Sequence, residues 1–312
     1  MIEVEQLSKH FGAKKAVDDI SFTVEKGEIL GFLGPNGAGK STTMRMITGF
    51  IPPTSGSVRI GGADVGNAPL AARRQIGYLP ENAPVYPDMT VQGYLEFCAE
   101  VRGFTGTERQ RRVAGTIEKC FLANVTYQTV STLSKGYKQR VCFAQSILHD
   151  PAYLILDEPT DGLDPNQKHE VRQMIKTMAA EKAIIFSTHI LDEVDAVCTR
   201  AIIIADGRIV ADDTPAGLRG RSPLAGAWTL TLSPTAADAA AETLGRLDQV
   251  ASVNIVNNSD NELKLRIFPT EKDALAADKL VSEAAAQGLK VRAITTEQGR
   301  LDEVFRNITA PV

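Results

Sequence analysis

The first chemistry this sequence offers lies in a run of glycines that ends in a lysine and a serine. Gly34-Pro-Asn36-Gly37-Ala-Gly39-Lys40-Ser41 fits the pattern G-x-x-x-x-G-K-[ST]. It follows the apolar run Ile29 to Leu33 and leads into Thr42 to Ile47, the strand, loop and helix context that the pattern requires. Glycines at this spacing let successive backbone N–H groups turn inward around phosphate oxygens, and the start of a helix adds a favourable dipole. Lys40 then reaches the β- and γ-phosphates of a nucleotide, and Ser41 supplies a hard oxygen for Mg²⁺. The expected ATP contacts of this loop are Gly34, Asn36, Gly37, Gly39, Lys40, Ser41 and Thr42. A chance glycine-rich turn would lack both the flanking elements and a matching second motif.

That second motif is Tyr153-Leu-Ile-Leu-Asp157-Glu158, in which an apolar strand delivers two carboxylates. Ligands of open α/β sheets bind at the carboxyl ends of the strands, where this pair sits. Asp157 is placed to hold Mg²⁺ through water. Glu158 is placed to orient and deprotonate an attacking water, a role worth about 10²- to 10⁴-fold in rate. Acidic residues at a strand end are often only solvated caps, so the pair gains its meaning from the phosphate loop.

Elements of the right kind must hold both motifs in place. Up to about residue 220, β-rich segments alternate with helical ones, and Glu28 to Phe32, Tyr153 to Leu156, Ala183 to Phe186 and Ala201 to Ile204 are short apolar strands. This predicts an α/β domain over residues 1–220, a sheet covered by helices. Between about 89 and 150 the pattern turns helical, clearest over Val91 to Arg102 and Glu108 to Phe121, and reads as a helical insertion. Arg219-Gly-Arg-Ser-Pro-Leu-Ala-Gly226 is rich in turn formers and marks a boundary. Beyond it, over residues 227–312, come strand (Trp228 to Leu232), helix (Thr235 to Leu247), strand (Ala251 to Val256), strand (Glu262 to Phe268), helix (Glu271 to Ala286) and strand (Lys290 to Thr295). That βαββαβ order predicts a small ferredoxin-like α+β domain, closed by a helix near Arg300 to Ile308.

Bulk properties narrow the partners. A chain of 312 residues, 43% hydrophobic, can bury two cores. A formal net charge of -4 gives no reason to expect a nucleic acid. Cys98, Cys120, Cys142 and Cys198 are too far apart for a C-x-x-C pair and suit buried thiols in a reducing compartment. No basic flank and apolar stretch suggests a secretory signal, and apolar runs such as YLIL fall far short of the roughly 20 residues that span a bilayer. The expected location is the cytoplasm, with any membrane role carried by a partner.

Downstream of the insertion, Leu133-Ser134-Lys135-Gly136-Tyr137 resembles the signature that separates ABC ATPases from other P-loop proteins. Residues 1 to about 220 resemble that family throughout, in the order phosphate loop, Tyr78-Leu-Pro-Glu81, signature, Asp157-Glu158, Asp161-Gly-Leu-Asp164 (the D-loop), and Ser187-Thr-His189. The resemblance implies that Ser134 and Gly136 face the γ-phosphate of a nucleotide bound to a second copy, so that two ATP molecules join a head-to-tail dimer. Ser134 is a good helix N-cap, which suits an anion site. The resemblance also assigns His189 to the γ-phosphate and attacking water, Asp164 to the nucleotide, and Phe11 to stacking on adenine. A buried core Phe is the plainer reading of Phe11, and His10, His149 and His169 read as structural.

Two positions depart from the family pattern. Lys135 and Tyr137 stand where glycine and glutamine are usual, and Glu81 replaces the glutamine that contacts Mg²⁺ and senses the membrane subunits. Glu81 keeps a hard oxygen. Near the C-terminus, Glu297-Gln-Gly-Arg-Leu301-Asp-Glu-Val-Phe305 resembles the ending of ABC-2 type exporter ATPases of drug-export and gliding-motility type. That implies an ATP-hydrolysing subunit at the inner face of the membrane, powering separate integral permease subunits. The alternative is a soluble ABC protein acting on ribosomes or DNA, which would usually bring a second cassette or a long coiled coil. A small-molecule kinase or GTPase does not account for the signature or His189.

Overall fold

Short apolar runs without alternation make strands that are buried on both faces, and the chain up to about residue 215 is built on them. In the computed structural model the described residues are 1–82, 84–271 and 276–309. They divide into two compact units, Met1–Pro215 and one that begins at Ala216.

The first unit runs β1 (Ile2–Phe11), β2 (Lys14–Val24), β3 (Ile29–Leu33), α1 (Lys40–Ile47), β4 (Ser55–Ile60), β5 (Ala63–Asp64), α2 (Pro69–Arg74) and β6 (Ile76–Leu79). Then come α3 (Val91–Val101), α4 (Gly106–Lys119), α5 (Lys135–Ile147), β7 (Tyr153–Asp157), α6 (Pro165–Ala179), β8 (Ala183–Thr188), α7 (Leu191–Val197), β9 (Arg200–Ala205) and β10 (Arg208–Asp213). One sheet has the order β10-β9-β3-β8-β7-β6, parallel from β9 to β6, with β10 antiparallel at its edge. In register, Ile29 pairs with Ile184 and Tyr153 with Ala183, so the ends of β3, β7 and β8 finish side by side. Every residue of β3 and β8 is buried. A second, antiparallel sheet has the order β2-β1-β4-β5, and its inward residues Ile2, Val4, Val17, Ile20 and Ile60 share one core with Leu30, Ile155, Ile185 and Ile202.

The helical insertion consists of α3, α4 and α5, and a lone bridge between Thr90 and Thr129 ties its base. Thr90 caps α3 by accepting from the Gly93 N–H, a role its short hydroxyl side chain favours.

Chain division falls inside α8 (Pro215–Arg219), ahead of the turn-rich stretch that the sequence marks as a boundary. That stretch is folded into the second unit, where the Ser222 hydroxyl donates to Glu303. The unit continues with β11 (Trp228–Leu232), α9 (Ala237–Gly245), β12 (Val250–Asn258), β13 (Leu263–Pro269), α10 (Ala277–Ala286), β14 (Val291–Thr296) and α11 (Leu301–Thr309). Its antiparallel order, β12-β13-β11-β14, is that of a ferredoxin-like sheet. Burial alternates along β13, so Leu263, Leu265 and Ile267 face Leu244 and Leu280 of the two helices. The helix expected over 271–286 begins at Ala277, and residues 272–275 of that expectation lie outside the described residues.

Candidate nucleotide site

The loop between β3 and α1 is held by close backbone approaches that only glycine allows. A Cβ on Gly34 would lie 2.4 Å from the Ile204 carbonyl oxygen. One on Gly39, whose φ is +112°, would lie 2.5 Å from that of Ala16. Lys40, at the first turn of α1, is buried, and its ammonium donates to the Gly34 and Pro35 carbonyls at 2.6 and 3.1 Å. Burial lowers its pKa, opposed by the charges of Glu158, Asp157 and Glu81. The Lys40 ammonium is thus held at the rim of a cavity of about 390 Å³ lined by Asn36, Gly37, Gly39, Ser41, Thr42, Glu81 and Glu158. Phe11 stands at the same rim and is 53% exposed, so it is not the core residue of the plainer reading, and the Lys9 ammonium lies 5.3 Å from its ring centroid.

Strand β7 brings the carboxylates to this cavity. Asp157 is buried, and its Oδ1 accepts from the Ser187 hydroxyl on the neighbouring strand. Glu158 follows in a left-handed conformation, φ +51°, which a non-glycine residue adopts at a cost of order 1–3 kcal/mol. Its N–H donates to Ser187 Oγ at 3.2 Å, and its carbonyl accepts from the Asp161 N–H. The strained turn re-aims the carboxylate toward His189 at the end of β8, whose Nδ1 lies 2.9 and 3.0 Å from the two carboxylate oxygens. An ionised carboxylate only accepts, so Nδ1 carries the proton of that bond, and the His189 side chain is about half exposed. Burial raises the Glu158 pKa, and the bond from His189 offsets this only in part. A carboxylate so poised is a suitable proton acceptor for water.

Ser134, Gly136 and Asp164 collect elsewhere, where α5 and α6 begin. Ser134 Oγ caps α5 by accepting from the Tyr137 N–H, and Asp164 caps α6 by accepting from the Gln167 N–H at 2.9 Å. A Cβ on Gly136 would meet Gln167 Oε1 at 2.6 Å, so glycine lets the two helix starts close on each other. None of the three lines the cavity that holds the phosphate loop.

Sequence reading missed Ser187, whose hydroxyl holds the Asp157 carboxylate and the Glu158 backbone N–H, and Lys14 and Ala16 as cavity lining. Ser187 was within reach as the first residue of Ser187-Thr-His189. Lys14 and Ala16 depend on the path of the β1–β2 hairpin. His149 keeps its structural reading, since burial pushes its pKa down to about 4 and its Nε2 lies 3.0 Å from the Ile76 carbonyl.

Among the described residues no cluster of three or more His, Cys, Asp or Glu side chains forms a metal cage. Ser41, Glu81 and Asp157 nonetheless offer hard oxygens beside the phosphate loop. This donor set fits Mg²⁺, which takes one or two carboxylates plus substrate phosphates rather than an all-protein cage.

Comparison with known proteins shows what the chain as a whole is similar to. The family described as ABC transporter matches residues 17–161. Linearmycin resistance ATP-binding protein LnrL of Bacillus subtilis (strain 168) is 32% identical over 99% of this chain and 98% of its own length. The Nod factor export ATP-binding protein I of Paraburkholderia xenovorans (strain LB400) is 36% identical over 70% of this chain and 72% of its own. A solved ATP-binding subunit of an ABC transporter, 33% identical, covers 70% of this chain and 92% of its own with a TM-score of 0.65. Agreement along nearly the full length with the first of these, together with the ordered motifs and the fold, places the chain in the family of ABC transporter ATP-binding proteins.

Proposed function

We propose that this ABC ATPase powers export through separate permease subunits of ABC-2 type, two copies of the chain closing head to tail around two molecules of Mg-ATP. One observation carries the dimer. The phosphate loop, Lys40 and Glu158 share a cavity, while Ser134, exposed at the start of α5 next to the buried Gly136, lies outside it. A second copy would bring its Ser134 to the first copy's nucleotide. Phe11 then stacks on adenine, Asn36 to Thr42 hold the phosphates, and Asp164 meets the shared nucleotide. Ser41, Asp157 and Glu81 would hold Mg²⁺, which screens phosphate charge when bound. Glu158 takes the proton of the attacking water, and His189 keeps the Glu158 carboxylate aimed and turns its Nε2 toward the γ-phosphate.

A permease partner has support of its own. No helix among the described residues is long and apolar enough to cross a membrane. Beside Glu81 a second cavity of about 440 Å³ is lined by Phe50, Tyr78, Pro80 and Pro84. Phe50 is 75% exposed there, and the exposed Tyr86 and Phe97 rings pack edge to face at 5.5 Å nearby in sequence. Solvent-facing aromatics next to the loop that carries Glu81 suit a docked membrane subunit, and the chain would then sit on the inner face of the membrane. The names of the two relatives, one for resistance and one for export, favour outward transport.

Mixing subunits tests the dimer. Ser134→Arg and Lys40→Ala chains each lack a complete site alone, whereas their heterodimer keeps one intact. The mixture should recover ATP-dependent dimerisation that neither variant shows. Failure despite proven subunit exchange would refute the shared geometry. Purification from detergent-solubilised membranes should recover a permease, and recovery of ribosomes or DNA instead would favour the soluble alternative.

A further inference from the structure

Glu193 does none of the work assigned so far, yet its carboxylate is the most completely enclosed charge in the first unit, with a side-chain exposure of 0%. It lies in the first turn of α7, behind the strand ends that carry Glu158 and His189. Oε1 accepts from the Thr160 hydroxyl at 2.6 Å, from Arg172 Nη2 at 3.2 Å and from Lys168 Nζ at 3.3 Å. Oε2 accepts from the Thr188 hydroxyl at 2.8 Å. Three donors converge on Oε1 and one holds Oε2, and the carboxylate is fully enclosed by them and by its surroundings. A group so enclosed and so held is a brace rather than a ligand for a metal or a substrate.

The two hydroxyls identify what is braced. Thr160 follows Glu158 by two residues and immediately precedes the D-loop. Thr188 immediately precedes His189, and its hydroxyl also accepts from the Ile190 N–H at 3.1 Å, fixing the backbone on both sides of the histidine. Both threonines are buried. Burial alone would raise the Glu193 pKa, but the hydroxyl bonds and the charges of Lys168 and Arg172 outweigh it and leave the pKa lowered, so the anion is the form present. An apolar residue would fill this space without the desolvation cost of a buried charge. It would not hold two separate loops to a common point.

We infer that Glu193 is a positioning residue for hydrolysis, one carboxylate that locks the Thr160 and Thr188 segments together and so fixes the distance between Glu158 and His189. The inference rests on the reading of Glu158 as the base. Catalytic groups displaced by about 1 Å can lose about 10²-fold in rate, and the Glu158–His189 bond is where such a displacement would be felt. Nucleotide binding is set by the loop between β3 and α1, which Glu193 does not touch.

The experiment is steady-state ATP hydrolysis by Glu193→Gln, made in the wild-type chain and again in Glu158→Gln. Glutamine keeps the shape, loses the charge and turns one acceptor into a donor that faces hydroxyls and cations. In the wild-type background kcat should fall at least about tenfold with KM for ATP changed less than about twofold. In the Glu158→Gln background the same change should leave the residual rate within about twofold, because the pair it positions is already broken. A kcat loss equal in both backgrounds, or a loss matching the unfolded fraction measured by circular dichroism, overturns the inference. So does an unchanged kcat. Should Glu193→Gln fail to fold, Thr160→Val and Thr188→Val cut the hydroxyl bonds while sparing the ion pairs. Each should lower kcat by at least about threefold at unchanged KM, and full activity in both overturns the inference. If Glu158→Gln itself hydrolyses at the wild-type rate, the base assignment has failed instead, a result distinct from any of these.

Discussion

The two units of this chain bury their polar groups in opposite ways. Among the described residues, every buried charged side chain lies in the first unit: Lys40, Arg140, Asp157, Glu158, Lys182 and Glu193. The second unit buries the hydroxyl of Ser222 and otherwise a core of Leu, Ile, Val and Ala. A buried charge costs several kcal/mol of desolvation unless it is paired and hydrogen-bonded. The first unit bears that cost, with Asp157 and Glu158 at the end of β7, Lys182 just ahead of β8 and Arg140 within α5, and the second avoids it. Substitutions in the two units should separate accordingly.

The largest separation should come from Glu158→Gln. Loss of the base should slow hydrolysis by at least about 10²-fold while ATP still binds, measured by phosphate release and by nucleotide titration. Stability should move the other way. Burial raises the pKa of Glu158, so the ionised form is disfavoured in the fold and weakens it near neutral pH. Glutamine removes that charge. The melting temperature of Glu158→Gln should therefore exceed that of the wild type near neutral pH. The difference should shrink as pH falls through the raised pKa, and a melting temperature that drops at neutral pH would contradict the assignment.

The same shift sets the acid limb of the rate. A base must be ionised, so activity should decline as pH falls through the raised value, which lies above the ordinary 4.5 of a glutamate. A pH–rate profile of the wild type that stays flat down to 4.5 would remove Glu158 from the role.

Leu265→Ala tests the other unit. Leu265 is fully buried against both helices, and its truncation should cost about 2–5 kcal/mol in that unit. ATP hydrolysis by the chain without a permease should stay within about twofold, since no group of the nucleotide cavity lies in the second unit. A proportionate loss of activity would show that the division by burial is not a division of function.

How much of this was legible beforehand follows the same divide between pattern and packing. The phosphate loop could be read because glycine spacing and an apolar strand are local signals. The ferredoxin-like unit could be read because alternation along β13 is also local. The β1–β2 hairpin was not legible, since register shifts along β1 break its alternation, and with it went the lining positions of Lys14 and Ala16. Glu193 was invisible for a different reason. An acidic residue in the first turn of a helix looks like an ordinary solvated partner of the dipole, and only the fold brings Thr160, Thr188, Lys168 and Arg172 around it. Lys135 was read as a departure beside a phosphate, and the structure adds a nearer partner, the D-loop residue Asp161 at 2.5 Å.

That ion pair allows the finest comparison between the units. Lys135–Asp161 is open to solvent, its side chains 67% and 46% exposed. Arg266–Glu297 in the second unit lies at 3.1 Å and is 20% and 23% exposed, with the Thr229 hydroxyl also donating to Glu297. An exposed pair contributes about 0–1 kcal/mol to stability, so removing Lys135 should barely change unfolding. The Lys135 stem also crosses Gly162, with carbons only 2.6 and 2.7 Å from where a Cβ there would sit, so the side chain holds the D-loop against the start of α5. Lys135→Ala should alter the ATPase rate by a few-fold, and Asp161→Ala should do so without adding to it, because both cut one contact. The Asp161 pKa is lowered, first by its bond to Lys135, so Lys135→Ala should also move that carboxyl back up, visible by NMR titration. Arg266→Ala should show the reverse pattern, a measurable loss of stability with the rate unchanged. If Lys135→Ala and Arg266→Ala behave alike in both assays, the signature lysine is only a surface charge.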